Sequence, residues 1–202
     1  MPTNAGPYTG SVQSISDYNA KIPATLTGIE TGGRTYFDML PGALRGIGVE
    51  ANYTFIDSHS PGSYATGMDG NSISGLPIPL LSRYNYNVNL LYDLGRWSAR
   101  LAYSWRSQYM LTTTDVGLSG SYVSQNDGST INYSLPNFAA ATGQMDAHIS
   151  YKINDHLTVG FAGANLLNAI NRTVQEIVPG QYATRSWFMN DVRYSVNLSG
   201  KF

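Results

Sequence analysis

The last eleven residues, 192–202, alternate without a break. Val192, Tyr194, Val196, Leu198, Gly200 and Phe202 fall on one side, and Arg193, Ser195, Asn197, Ser199 and Lys201 on the other. Successive side chains of an extended strand point to opposite faces, so this segment is a ribbon with one apolar and one polar side. A half-buried strand of a soluble sheet shows the same alternation. The segment becomes informative because the rest of the chain repeats it.

Six earlier segments carry the signature and predict six more strands. The first, 22–37, sets Ile29, Thr31, Gly33, Thr35 and Phe37 opposite Glu30, Gly32, Arg34 and Tyr36. The second, 47–57, sets Ile47, Val49, Ala51, Tyr53 and Phe55 opposite Gly48, Glu50, Asn52 and Thr54. Residues 38–46 between them read as a compact connection with room for one helical turn. The third, 84–94, and the fourth, 97–106, join through Gly95-Arg96, a two-residue hairpin turn that brings Leu94 opposite Trp97. The fifth, 145–153, and the sixth, from Leu157 towards Leu167, join through Asn154-Asp155-His156, which sets Ile153 opposite Leu157. The stretches 58–82, 113–138 and 168–181 show no strand period and are expected as loops, as is 1–21 before the first strand.

Connections therefore alternate short and long. Glu30, Arg34, Glu50, Asp93, Arg100, Arg106, Asp146, Lys152, Arg193 and Lys201 all sit opposite the large apolar residues. A soluble sandwich would turn that charged face to water and pack the apolar one on a second sheet. Its strands, however, run to about five or six residues, and these are nearly twice as long. Charged residues make up only 12% of the chain, about half the share usual in soluble domains. Long strands, an outward apolar band and short turns along one end predict an all-β fold: an antiparallel transmembrane β-barrel segment of about seven strands over 22–202. No run of about 18 apolar residues predicts a transmembrane helix. A net charge of −1 gives no basic surface for nucleic acid. Residues 1–7 have neither the basic nor the apolar region of a secretory signal, so a protein working beyond the cytoplasm is expected to have sequence ahead of Met1.

Several of these residues together resemble a known family. Gly28-Ile29-Glu30, the turn Leu40-Pro41-Gly42-Ala43-Leu44 and the run from Gly46 to Thr54 are similar to the end of TonB-dependent outer-membrane receptors. So are Ser98 to Arg106, Gly163-Ala164-Asn165-Leu166-Leu167-Asn168, and Tyr194 to Phe202. The resemblance covers about 22–202. It implies a 22-stranded barrel around an amino-terminal plug, and active uptake of a siderophore, cobalamin or oligosaccharide in the bacterial outer membrane. It also implies no catalysis and no cofactor. The partners it implies are outer-membrane lipid, the missing amino-terminal strands and plug of the same receptor, TonB through that plug, and the barrel-assembly machinery. The plug is absent from this sequence, so the chain is expected to be a carboxy-terminal fragment, lacking an odd number of strands.

Candidate residues follow from position. Phe202, with Tyr194, Val196 and Leu198 on its face, resembles the signal read by the assembly machinery. Arg106, Tyr109 and Trp187, near the long-loop end, are candidate ligand contacts. Tyr92, Trp97 and Tyr151 suit a membrane-interface girdle at the short-turn end. His59, His148 and His156 lack metal-ligand spacing. Glu30, Glu50, Asp93 and Asp146 share their face with four basic residues, which favours a charge network over paired glycosidase acids. Gly46-Ile47-Gly48 lacks the third glycine of a nucleotide loop, and no serine sits in a nucleophile elbow. Two rivals stand beside the receptor: a passive porin or other outer-membrane barrel, and a soluble sandwich with Tyr84 to Leu94 buried against a second sheet.

Overall fold

The computed structural model describes residues 22–61, 65–113 and 118–201. The strands in chain order are β1 (Thr25–Tyr36), β2 (Ile47–His59), β3 (Ala65–Thr66), β4 (Ser72–Ile73), β5 (Tyr84–Leu94), β6 (Trp97–Arg106), β7 (Tyr109–Thr112) and β8 (Ser119–Val123). They continue with β9 (Thr130–Ser134), β10 (Asn137–Ala139), β11 (Thr142–Lys152), β12 (Leu157–Ala164), β13 (Ile170–Val178), β14 (Gln181–Met189) and β15 (Arg193–Gly200). A short 3-10 turn, Gly42–Gly46, is the helical turn expected between the first two strands.

Seven strands, the wall, form one antiparallel sheet in the order β1-β2-β5-β6-β11-β12-β15. Its neighbours follow one another in chain order, and β13 and β14, nine residues each, come between β12 and β15 in the chain but belong to a different sheet. Gly95, at φ +62°, makes the β5–β6 turn, and Leu94 pairs with Trp97 as expected. The Ile153 amide donates to the Leu157 carbonyl at 2.9 Å and closes the β11–β12 turn.

Register carries the apolar face unbroken across the sheet. Ile47, Tyr92, Ala99, Ile149, Phe161 and Val196 are successive cross-strand partners. The row below is Leu94, Trp97, Tyr151, Val159 and Leu198. Among the described residues nothing covers this side: Val196 is 73% exposed and Leu198 71%. Aromatic pairs mark both its ends. Trp97 and Tyr151 lie 4.6 Å apart at the short-turn end, and Tyr86 stacks on Trp105 at 5.2 Å near the other. From Trp97 to Trp105 a strand rises about 27 Å, which a tilt of about 40° shortens to about 21 Å, close to a hydrocarbon core. Among the described residues no second sheet packs on Tyr84 to Leu94, against the soluble sandwich.

The long connections hold the other strands. β14-β13-β10-β7 form one four-stranded sheet and β4-β3-β9-β8 another. Residues expected as loops over 58–82, 113–138 and 168–181 therefore contain β3, β4, β8, β9, all of β13 and most of β10, and β2 runs on through His59. These rim strands carry no apolar-outward period. Their packing is that of a water-soluble protein: Ala65, Ile73, Leu76, Met110 and Phe138 form a buried cluster with Val174 against it.

Candidate functional site

The inner side of the sheet begins as a lattice of ions. Arg34, Glu50 and Asn89 are cross-strand partners. Arg34 Nη1 lies 3.6 Å from Glu50 Oε2, and Asn89 Nδ2 donates to Glu50 Oε1 at 3.0 Å. Arg100 donates Nε and Nη2 to Asn89 Oδ1 at 3.2 and 3.0 Å. Nearer the short turns, Asp93 accepts from the Tyr36 hydroxyl at 2.5 Å and from Ser98 Oγ at 2.6 Å. Each of these carboxylates is engaged by a neighbouring strand, so they brace the register and flank no shared space for acid–base work. The Arg34–Glu50 pair is solvent-exposed, so screening leaves it little weight in stability. The histidines stand apart: His59 ends β2, His148 pairs with Arg100 in mid-sheet, and His156 meets the Lys201 carbonyl at 3.0 Å.

Towards the rim the lattice changes from ions to amides. Asn87 Nδ2 donates to Asn52 Oδ1 at 2.8 Å, and Gln144 Nε2 to Asp146 at 3.0 and 3.1 Å. Asp146 Oδ1 also accepts the Asn165 backbone amide at 2.8 Å. Asn165 sits at φ +56°, a conformation asparagine tolerates better than most residues, and is buried. Its Nδ2 donates to the Asn190 carbonyl at 2.6 Å and its Oδ1 accepts the Ala169 amide at 2.8 Å. One side chain thus ties the top of β12 to the start of β13 and the entry to β15. This is the physical content of the Gly163-to-Asn168 motif.

Two adjoining cavities open above this hub. The first, about 300 Å³, is lined by Asn85, Asn87, Arg106, Gln144, Asn171 and Asn190 among others. The second, about 390 Å³, shares Arg106, Thr142 and Asn171 and adds Tyr109, Leu111 and Phe188. Arg106 stands between them. Its Nε donates to Ser82 Oγ at 2.7 Å and its Nη2 to the Leu80 carbonyl at 3.3 Å. Its guanidinium carbon lies 3.7 Å from the centroid of the Tyr109 ring, at cation–π distance. In the rim turns, hydrogen bonds from Asn71 and Ser129 hold the Asp69 and Asp127 carboxyls below the usual carboxylate range.

The candidate residues fall as follows. Arg106 and Tyr109 are brought together. Trp187 is not with them: it pairs with Arg172 on β13, while its neighbour Phe188 pairs with Asn171 and lines the second cavity. Tyr194, Val196 and Leu198 share the outward face of β15, and Phe202 lies outside the described residues. Sequence reasoning did not single out Asn171, Asn190 or Phe188, which lie where a loop or no element was expected. The alternating Asn85, Asn87 and Asn89 were the visible sign of an amide-lined wall.

Residues 2–166 match the model of a family described as TonB dependent receptor-like, beta-barrel. No curated protein and no solved structure matches.

Proposed function

Because the chain belongs to the TonB-dependent receptor family of outer-membrane β-barrels, we propose that it is the carboxy-terminal wall of a receptor for active uptake of a scarce nutrient. Preceding strands and a plug of the same polypeptide complete it. The observation that carries this reading is the pair of margins: among the described residues, β1 and β15 each pair with one strand of the sheet, and the apolar face runs uncovered out to β15. A backbone group left unpaired in lipid costs several kcal/mol, so two bare edges cost on the order of tens. Folds are stable by only about 5–15 kcal/mol.

Seven antiparallel strands leave β1 and β15 pointing the same way, so closing them on each other would make a parallel seam. An odd number of further strands removes that seam, fifteen in a barrel of 22. In this reading the short turns face the periplasm and the rim sheets the outside, where the cavities beside Arg106 receive the ligand. TonB acts through the plug, and no reaction is catalysed. Tyr194, Val196, Leu198 and Phe202 form the assembly signal; receptor lacking Phe202 then reaches the surface at lower levels, and unchanged levels would remove that role.

The central test expresses the 202-residue chain alone and beside the receptor from the complete reading frame. Only the latter is expected to give a heat-modifiable, protease-resistant band in outer membranes, and its uptake should stop when TonB is deleted. A heat-modifiable monomer from the short chain would overturn the fragment reading. Uptake that ignores TonB would make the protein a passive porin.

A further inference from the structure

We propose that a furrow along the inner side of β12, edged by Arg100, His148 and Arg193, seats a carboxylate carried by the plug of the same polypeptide. The inference rests on the receptor reading above and adds the chemistry by which this wall holds what fills it.

The furrow follows from the sequence of β12. Beyond Thr158 its inward positions are Gly160, Ala162 and Ala164, none longer than a methyl group. Beside it β11 carries His148 and Lys152, and β15 carries Arg193. Register sets these charges along both banks. Arg100, His148, Ala162 and Ser195 are successive cross-strand partners, and in the next row Ala164 pairs with Arg193. A cavity of about 390 Å³ lies among them, lined also by Ala102 and Asp146. The His148 ring leans over β12: its Nε2 would stand 3.2 Å from a methyl group placed on Gly160. Glycine there leaves the ring its place.

The cations of this furrow lack an anion. Arg100 donates to the neutral Asn89. Among the described residues, no acceptor meets the side chain of Arg193 or of His148. Asp146 lines the cavity, but its oxygens accept from Gln144 and from the Asn165 amide, and no cation pairs with it among the described residues. The balance is reversed across the wall, where β1, β2 and β5 hold Glu30, Glu50 and Asp93 beside Arg34. A neutral or cationic occupant would leave the arginines desolvated without a counter-charge, which is strongly penalised. Position decides the source of the anion. Water and salt screen these exposed cations, so a free carboxylate is held weakly. A carboxylate on a segment of the same chain arrives at an effective concentration on the order of millimolar. Its backbone also fills the space that the small side chains of β12 leave.

The test uses the receptor from the complete reading frame, in outer membranes and shown to be heat-modifiable. Photoreactive p-benzoylphenylalanine replaces Ser195 and, in a second receptor, Ala162, both on the furrow. Cross-links formed on irradiation are mapped by mass spectrometry. A plug peptide containing Asp or Glu is expected from at least one of the two positions. Arg193→Glu should cut that cross-link about tenfold, and changing the identified acid to Arg in the same receptor should restore it. Cross-links from neither position to the plug, or only to plug peptides without an acid, overturn the proposal. So does a yield that Arg193→Glu leaves unchanged, or that the charge swap fails to restore. Saturable binding of free succinate, abolished by Arg193→Glu in a receptor whose plug does not cross-link, would give the site to a solute and overturn it too. The receptor reading fails separately. A reading frame with no plug-sized segment ahead of the wall removes that reading and the proposal together, whereas a plug that never meets the furrow removes the proposal alone.

Discussion

The wall and the rim of this protein place their apolar side chains by opposite rules. Among the described residues of the seven strands of the wall, Leu91 is the one buried hydrophobic side chain. The rim and its connections bury Ala65, Ile73, Leu76, Met110, Leu118, Leu135 and Phe138. The wall meanwhile leaves Tyr194, Val196, Leu198, Phe161 and Leu90 exposed on one continuous face. Burial of apolar area drives folding in water, and the rim follows that rule in its buried cluster, though its β13–β14 hairpin leaves Trp187, Phe188 and Met189 exposed. A wall with far more strand and almost no core is stable only where its exposed face meets hydrocarbon. One chain is therefore built for two solvents, and the boundary lies near the tops of β6, β11 and β12. Substitutions should respond according to the side of that boundary on which they fall.

The largest effect is expected inside the rim. Met110 is fully buried in the cluster with Ala65, Ile73, Leu76 and Phe138. Met110→Ala should cost about 2–5 kcal/mol, through lost burial and the cavity left behind. If rim and wall are separate in packing, hydrogen exchange should speed up over 65–76 and 137–139 while β11 and β12 keep their protection. Equal loosening of those wall strands would break the comparison.

A slightly smaller effect tests the wall from outside. Leu101 lies midway between Trp97 and Trp105 on β6, paired with Leu90 and Ala147, and is 39% exposed. On a water-facing surface Leu101→Arg would change stability by no more than about 0.5 kcal/mol. At the middle of a bilayer it should cost about 2–4 kcal/mol. Denaturant titration of the receptor in lipid vesicles measures the difference. A change near zero would mean that the face is wetted.

The same two-solvent division explains what was legible in the sequence. The wall strands border lipid on one side and a polar interior on the other, which forces a period of two, so β5 and β6 lie where the alternation places them. β13 has no such contrast. Ile170, Arg172, Val174 and Glu176 on one face and Asn171, Thr173 and Gln175 on the other mix polar and apolar, because neither face borders lipid. It therefore read as a loop over 168–181. The β8–β9 hairpin did leave a sign in Asp127-Gly128, with Gly128 at φ +72°, but its strands are too polar to show a buried face. Around the cavities, Arg106 and Tyr109 stand together because they close one end of the fourth strand, whereas the pairing that sets Phe188 beside Asn171 and Trp187 beside Arg172 lies in a hairpin interrupted by a shift in register between Thr173 and Val174.

The smallest expected effect separates rim from wall by pH. Tyr182 packs edge-on against Phe138 at 5.5 Å, near the tip of the β13–β14 hairpin. Glu176, whose Oε1 accepts the Gly180 amide at 2.7 Å, stands close by. Burial first, and then the Glu176 charge, raise the Tyr182 phenol above its ordinary value, against a lowering hydrogen bond from Gln108. The fold thus prefers the neutral phenol. Its contribution is fully present below the unfolded value of about 10 and is lost as pH rises through the higher folded value. Tyr182 is 47% exposed, so solvent screening keeps the effect shallow. Hydrogen exchange at the β10, β13 and β14 amides should accelerate in alkali beyond the ordinary base-catalysed rise, and Tyr182→Phe should remove that excess. The wall strands should show none in either protein. If the phenylalanine variant loosens with pH as the parent does, the alkaline response belongs to another group and Tyr182 is not its source.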